Sequence, residues 1–193
     1  MPKDGENISD EAVKKATGRD WAAWLKVLDS AGAKTMNHKK IVAAVKKHWL
    51  AGHSSKSEGW YAQMVTVEYE RRRGKRKLGQ TADAGYQIGV TKTLPISKKQ
   101  AWDLLMSPAG KKLWAGRGVK TEKRTGRDGE FMRMTWESSQ LKEPSVLQLR
   151  VGDRETSKGT CISFHQEKLS SGAEREKMKQ HWKNALATLA ELT

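Results

Sequence analysis

The sequence predicts an α+β protein in two parts: a small N-terminal helical bundle, then a compact domain in which a long C-terminal helix closes an antiparallel sheet. Three observations carry this. Up to about Arg73 the apolar residues recur at helical spacing, from Tyr86 onward they alternate with period two, and the final stretch from Met178 to Leu192 returns to spacings of four and three. Between them lies Gly74-Lys-Arg-Lys-Leu-Gly-Gln-Thr-Ala-Asp-Ala-Gly85, polar and punctuated by glycine. The expected division is therefore a helical domain over 1–73, a basic, glycine-containing linker over 74–85 and a second domain over 86–193.

The helices of the first part follow from caps and faces. Ser9 with Asp10 and Glu11 caps a short first helix that Gly18 stops. Trp21, Trp24, Leu25 and Leu28 form the apolar face of a second helix, with Gly32 at its end. Asn37 caps a third, whose buried side is Ile41, Val45 and Trp49, and Ser57 is expected to cap a fourth with Trp60, Met64 and Val67 inward.

In the second part Tyr86, Ile88 and Val90 alternate as a half-buried strand does. Ser97-Lys-Lys-Gln100 is a capping box before Ala101, Trp102, Leu104 and Leu105, and Ser107-Pro108 opens another short helix carrying Leu113 and Trp114. Three strands are then expected, on Met132/Met134/Trp136, Leu147/Leu149/Val151 and Ile162/Phe164. Ser171-Gly-Ala-Glu174 is a second capping box, and Met178, Trp182, Ala185, Leu189 and Leu192 make the face of the longest helix.

Composition bounds the function. In 193 residues, 37 Lys and Arg against 22 Asp and Glu leave a net charge of +15, a field that attracts polyanions without specifying any chemistry. Apolar stretches are too short for a spanning helix, which needs roughly 18 or more residues, so no membrane insertion is expected. With no secretory signal pattern and a single cysteine, Cys161, a cytoplasmic location is expected. Eight tryptophans against two phenylalanines and three tyrosines point to large core anchors.

The order strand, two short helices, antiparallel strands and long helix, with Tyr86-Gln-Ile-Gly-Val-Thr-Lys-Thr-Leu-Pro-Ile-Ser97 leading into Ala101-Trp-Asp-Leu-Leu105, resembles the START-like (SRPBCC) superfamily, the helix-grip fold. Gly159-Thr-Cys-Ile-Ser-Phe-His-Gln-Glu-Lys-Leu169 and Glu174-Arg-Glu-Lys-Met-Lys-Gln-His-Trp-Lys-Asn-Ala-Leu186 look most like its branch homologous to the activator of heat-shock protein 90 ATPase. Gly18-Arg-Asp-Trp-Ala-Ala-Trp-Leu-Lys-Val-Leu-Asp-Ser-Ala-Gly-Ala33, His38-Lys-Lys-Ile41 and Gly59-Trp-Tyr-Ala-Gln-Met-Val-Thr-Val-Glu-Tyr-Glu-Arg71 resemble a bacterial helical domain of unknown function. The resemblance implies a curved sheet gripping a long helix, often around an apolar ligand. The second domain is short for the superfamily, which implies a lost or shortened strand and a smaller cavity.

Chemistry-bearing patterns are sparse. His38, His48, His53, His165 and His181 form no HxxxH or HxH pair, so no metal is expected. There is no GxSxG, Cys161 falls mid-strand where a small buried hydrophobe is the plainer reading, and Gly126-Arg-Asp-Gly129 has turn chemistry. Glu167 and Glu174 are read as a solvated face and a helix cap. Two sites remain. Trp102, Met132, Met134, Trp136, Phe164 and Trp182 are expected in the groove between sheet and long helix, either lining a ligand cavity or filling a core. Arg71, Arg72, Arg73, Lys75, Arg76 and Lys77 place six cations in seven residues, either contacting a polyanion or forming a solvated helix end.

The expected function is that of a START-like protein, not an enzyme and without a cofactor, that binds an apolar small molecule or a protein partner, with a chaperone or stress role implied by the resemblance. The alternatives are a nucleic-acid-associated protein using 71–77, for which weak non-specific binding is expected, and a cyclase- or hydrolase-like enzyme on the same fold.

Overall fold

The computed structural model describes residues 8–48, 55–81, 85–153 and 159–193. The chain divides into two compact units between Leu78 and Gly79.

The first unit holds α1 (Asp10–Thr17), α2 (Trp21–Ser30), α3 (His38–Lys47) and α4 (Ser55–Arg72). Ser9, Asp20 and Asn37 are the N-caps of the first three, each side chain accepting a backbone N–H of the first turn. Gly18 ends α1 in the left-handed region at φ 77°, which costs glycine nothing. The core is Val13, Trp21, Trp24, Leu28, Ala33, Ile41, Val45, Ala62, Val65 and Tyr69. Two indoles are anchored as well as buried: Trp21 Nε1 donates to Ile8 O at 2.6 Å and Trp24 Nε1 to Thr17 Oγ1 at 2.8 Å. Trp49 and His53 lie outside the described residues.

The face of α4 differs from the expected one. The helix begins at Ser55, so Ser57 lies inside it and is not its cap, and Ala62, Val65 and Tyr69 form the buried stripe while Trp60 is 51% exposed. Met64 and Val67 are half-buried at the margins. The buried Glu68, Tyr69 and Glu70 are held there by polar partners that apolar periodicity does not register.

The second unit holds β1 (Tyr86–Leu94), α5 (Lys98–Met106), α6 (Pro108–Ala115), β2 (Lys120–Arg127), β3 (Phe131–Glu137), β4 (Ser145–Asp153), β5 (Thr160–Leu169) and α7 (Gly172–Ala190). The strands form one antiparallel sheet in the order β1-β5-β4-β3-β2, and the unit's core unites the sheet's inner residues with α5, α6 and α7. The capping box at Ser97 and Gln100 is formed, and Ser107 caps α6 ahead of Pro108. Gly110 is required where α6 folds back on α5: a Cβ there would lie 1.9 Å from Leu104 O.

β2 is a strand the alternation did not reveal. Lys-Thr-Glu-Lys-Arg-Thr-Gly-Arg is exposed along its whole length, so neither face carries an apolar row, and it is a strand because its backbone pairs with β3. Cys161 is the second residue of β5, half-buried on the sheet's outer face, not a buried mid-strand hydrophobe. At α7, Ser171 Oγ accepts from Glu174 N, but the Glu174 carboxylate accepts from Ser170 N and from Lys142 N, both at 2.8 Å, so the cap also ties the β3–β4 loop.

The connection between the units is bonded on both sides of the division. Arg73 and Lys75 bond back into the helical unit, whereas Gln80 bridges Tyr86, and Gln87 N donates to Gly79 O at 2.8 Å.

Candidate functional site

The groove between sheet and α7 is built from alternation on three strands. Met132, Met134 and Trp136 of β3 point inward beside Leu147, Leu149 and Val151 of β4 and Ile162 and Phe164 of β5, and α7 lowers Met178 and Trp182 onto them. Met134, Trp136, Phe164 and Trp182 are at most 1% exposed, Trp102 of α5 is buried at the margin, and Met132 is half-buried. Phe164 and Trp182 stack with centroids 4.6 Å apart, and Trp136 meets Trp182 edge-on at 5.1 Å. Trp114 of α6 completes the cluster, 6.2 Å from Trp136 and 6.3 Å from Phe164, its Nε1 donating to Leu105 O. The indicated residues therefore belong to one cluster between sheet and helices.

A buried polar chain that alternation did not disclose pins this cluster. Trp182 Nε1 donates to Gln166 Oε1 at 2.8 Å, Gln166 Nε2 donates to Ser145 Oγ at 2.8 Å, and Ser145 Oγ donates to Trp136 O at 3.3 Å. One helix and three strands are thus linked through groups that are wholly buried. Gln166 occupies an inward position on a strand whose other inward residues include Ile162 and Phe164, and a polar residue in an apolar row was the available signal. His181 borders the cluster, 4.6 Å from the Trp182 ring, with Nε2 facing Trp114 O at 2.8 Å. One donor stands apart: Trp136 Nε1 is buried with no acceptor among the described residues.

Two helices inserted after the first strand, a five-stranded antiparallel sheet and a long C-terminal helix packed along its inner face decide the fold. The second unit has the helix-grip fold. No protein-family model matches the chain, and no curated protein does. Among solved structures it is similar to CalU16 from Micromonospora echinospora, with 15% identity over 58% of this chain and 80% of that one and a TM-score of 0.49. It is similar also to DynU16, a protein of the dynemicin biosynthetic locus (13%, 54% of this chain, TM-score 0.48), and spans 46% of that protein's length. A third is PFC0360w, an HSP90 activator from Plasmodium falciparum (11%, 56% of this chain and 96% of that one, TM-score 0.47). The chain's own topology, not these distant likenesses, carries the fold.

The basic segment that ends α4 and continues beyond it is bonded within the helical unit. Arg72 Nε donates to Glu68 at 2.9 Å, with its guanidinium 5.0 Å over the Trp21 ring, and Arg71 lies 3.9 Å from the same carboxylate. Arg73 makes a two-toothed contact with Asp29 at 2.5 and 3.1 Å, and Tyr69 Oη donates to Asp29 at 2.8 Å. Lys75 Nζ donates to Ala33 O, Lys34 O and Met36 O at 3.1, 3.0 and 2.6 Å, closing the turn between α2 and α3. Arg76 pairs with buried Glu70 at 2.6 Å, and Glu70 also faces His38 Nδ1 at 3.0 Å. Lys77 is exposed and is also bonded. Of the acids that anchor these cations, Glu68 and Glu70 lie on α4 within a few residues of them, and Asp29 alone comes from a distant helix, α2.

These pairs shift three groups. Burial, followed by the Asp29 hydrogen bond and charge, pushes the Tyr69 phenol up to about 12. Burial alone pushes the Asp29 carboxyl up, but the donors Tyr69 and Arg73 and the charges of Arg73 and Lys34 outweigh it and hold the carboxyl below its usual range. The Asp29 hydrogen bond raises Arg73.

The remaining titratable candidates lie apart from the groove. Glu167, on the sheet's outer face, accepts from Arg133 Nη2 at 2.9 Å and lies 3.5 Å from His165 Nδ1. Among the described residues no group of three or more His, Cys, Asp and Glu has metal-site spacing, and no helix is long and apolar enough to cross a membrane. A cleft of about 280 Å³ lined by Gly118, Lys120, Leu141 and Lys142 opens beside the β3–β4 loop, and none of the six groove residues lines it.

Proposed function

We propose that this chain is a non-catalytic START-like protein that acts by binding a protein partner through its surface, its helix-sheet groove serving as a packed core. The observation that carries this reading is the filled groove: Trp114, Trp136, Phe164 and Trp182 occupy it, and the Trp182–Gln166–Ser145 chain bonds α7 to the sheet. A carrier's cavity is usually apolar, largely pre-formed and several hundred Å³ in volume, whereas here the gripping surfaces are in contact. The sequence resemblance makes a chaperone ATPase of the heat-shock protein 90 class the partner to try first, and calorimetric titration of the full chain into that purified chaperone is expected to register binding.

One observation favours a second reading. The Trp136 indole N–H, buried without an acceptor, suits a small apolar guest bearing an oxygen that slips in beside the rings. Native mass spectrometry of the protein purified from its own host separates the two. The bare chain mass supports the surface-binding reading; a stoichiometric adduct released on denaturation overturns it in favour of the ligand.

A further inference from the structure

The cations of the Arg71–Arg76 stretch have partners within the helical unit, and the second unit offers a different place where a polyanion could be met. Residues 111–133 contain eight Lys and Arg and three acids. Register places many of these cations together. The inner residues of β3 and β4 face the helices, so Phe131, Arg133, Gln148 and Arg150 lie on the opposite face. Arg127 is paired with Phe131, Thr125 with Arg133 and Lys120 with Glu137, which brings Lys120 and Arg127 to the same face. Arg124, at the β2 irregularity, joins them through a 2.9 Å bond from its Nε to Thr135 Oγ1.

Five cations from three adjacent strands thus share one face, Lys120, Arg124, Arg127, Arg133 and Arg150, alongside the acids Glu122, Glu137 and Glu167, with Arg133 paired to Glu167 and Arg127 to Glu130. Lys120, Arg124 and Arg150 are exposed and have no carboxylate within ion-pair distance among the described residues. Half-buried Phe131 sits among them, with the Arg150 guanidinium 5.7 Å over its ring. Charges on an edge strand commonly serve only to discourage edge-to-edge pairing. That accounts for β2, but Arg133 and Arg150 stand on β3 and β4, which have no free edge to protect. Arginine predominates, and its planar fork suits phosphate oxygens; an aromatic ring beside it suits an unpaired base.

We infer that this helix-free face, on its β2 side, binds the phosphodiester backbone of single-stranded nucleic acid, with Phe131 as a stacking platform. The inference is independent of the groove. It is tested with the full chain and a labelled single-stranded 20-mer, following fluorescence anisotropy across a salt series. Wild type is expected to bind, and the variant K120Q/R124Q/R150Q to bind at least tenfold more weakly at low salt. Its log–log salt slope should be shallower by about 2, since each single-strand phosphate contact contributes about 0.7. Phe131→Ala is expected to lose about tenfold with the slope retained. The single variants R124Q and R150Q give the same direction should the triple variant fold poorly. An unchanged slope in these variants overturns the inference, as does an equal loss of slope in R72Q/R73Q. Polyglutamate that binds this face as tightly as the oligonucleotide overturns it too, in favour of an acidic protein.

Discussion

Replacing Trp182 by alanine removes the largest side chain that α7 contributes to the core, and the structure lets the consequence be divided into parts. The ring is fully buried, stacked on Phe164 and set edge-on to Trp136. A large aromatic truncated to alanine in such a place costs about 3–5 kcal/mol. Gln166 Oε1 also loses its donor, for a further ~1–3 kcal/mol. Set against a typical domain stability of about 5–15 kcal/mol, the alanine variant should be severely destabilised. Trp182→Phe keeps a ring against Phe164 but removes the N–H together with part of the bicyclic ring, so about 1–3 kcal/mol is expected for the lost donor on top of a smaller cavity cost. Gln166→Leu removes the other partner and orphans the Trp182 indole. The double variant Trp182→Phe/Gln166→Leu should then cost less than the sum of the singles by about 1 kcal/mol or more, because neither Trp182 nor Gln166 is left waiting for the other, while the loss of the bond to Ser145 is common to Gln166→Leu and the double variant. Urea unfolding of all four proteins, read as midpoint shifts at unchanged slope, measures this. Additivity within about 0.5 kcal/mol, or a Trp182→Phe variant as stable as the parent, would refute the reasoning that the buried chain locks helix to sheet.

Three further outcomes follow from other contacts. The folded Tyr69 phenol titrates at about 12, above its ordinary value of 10.0, so its contribution is complete below pH 10 and is lost as pH rises toward 12; the absorbance titration of wild type minus Tyr69→Phe should show a late phenol, and a difference step near 10 would contradict it. Asp29 has the opposite sign: with its folded pKa lowered from 3.8, its stabilisation is present above that value and lost as pH falls through the folded pKa, so Asp29→Asn should flatten the acid limb of the helical unit's unfolding curve. Gly79→Ala would place a Cβ 2.0 Å from Arg175 Nε and 2.8 Å from Gln87 O at a φ of 71°, so the thermal midpoint should drop by several degrees for a loss of about 2 kcal/mol. An unchanged midpoint would mean that Arg175 moves aside without cost.

Reading periodicity and caps was enough to place most elements, and the reason is local. Ser9, Asn37, Ser97 and Ser107 cap helices through their own first turns, so their effect needs no distant partner. The inward rows Met132/Met134/Trp136 and Leu147/Leu149/Val151 follow from a period of two wherever one face of a sheet is buried. The groove residues were legible for the same reason, since the large apolar side chains on those rows and on one face of α7 have only one place to meet.

What sequence alone determined is therefore the order of the elements other than β2, the inward faces of the alternating strands and the residues that gather between sheet and helix. Tertiary structure decided what those local patterns leave open. β2 carries no apolar row and exists because β3 supplies its hydrogen bonds. Trp60 faces outward although its spacing suggested otherwise, because Tyr69 and the carboxylates of α4 find their partners on the other side. That Trp114 joins the groove cluster from α6, and that Gln166 meets Trp182 across sheet and helix, appears only in the folded chain. The segment from Arg71 to Lys77 is one charge run in sequence, yet its cations are divided among Glu68, Asp29, Glu70 and three carbonyl oxygens. Caps, periodicity and helical pairs such as Glu68–Arg72 act over a few residues and are written in neighbouring letters, whereas the Arg73–Asp29 pair, the Lys75 contacts or a core contact depend on groups that only folding brings within reach.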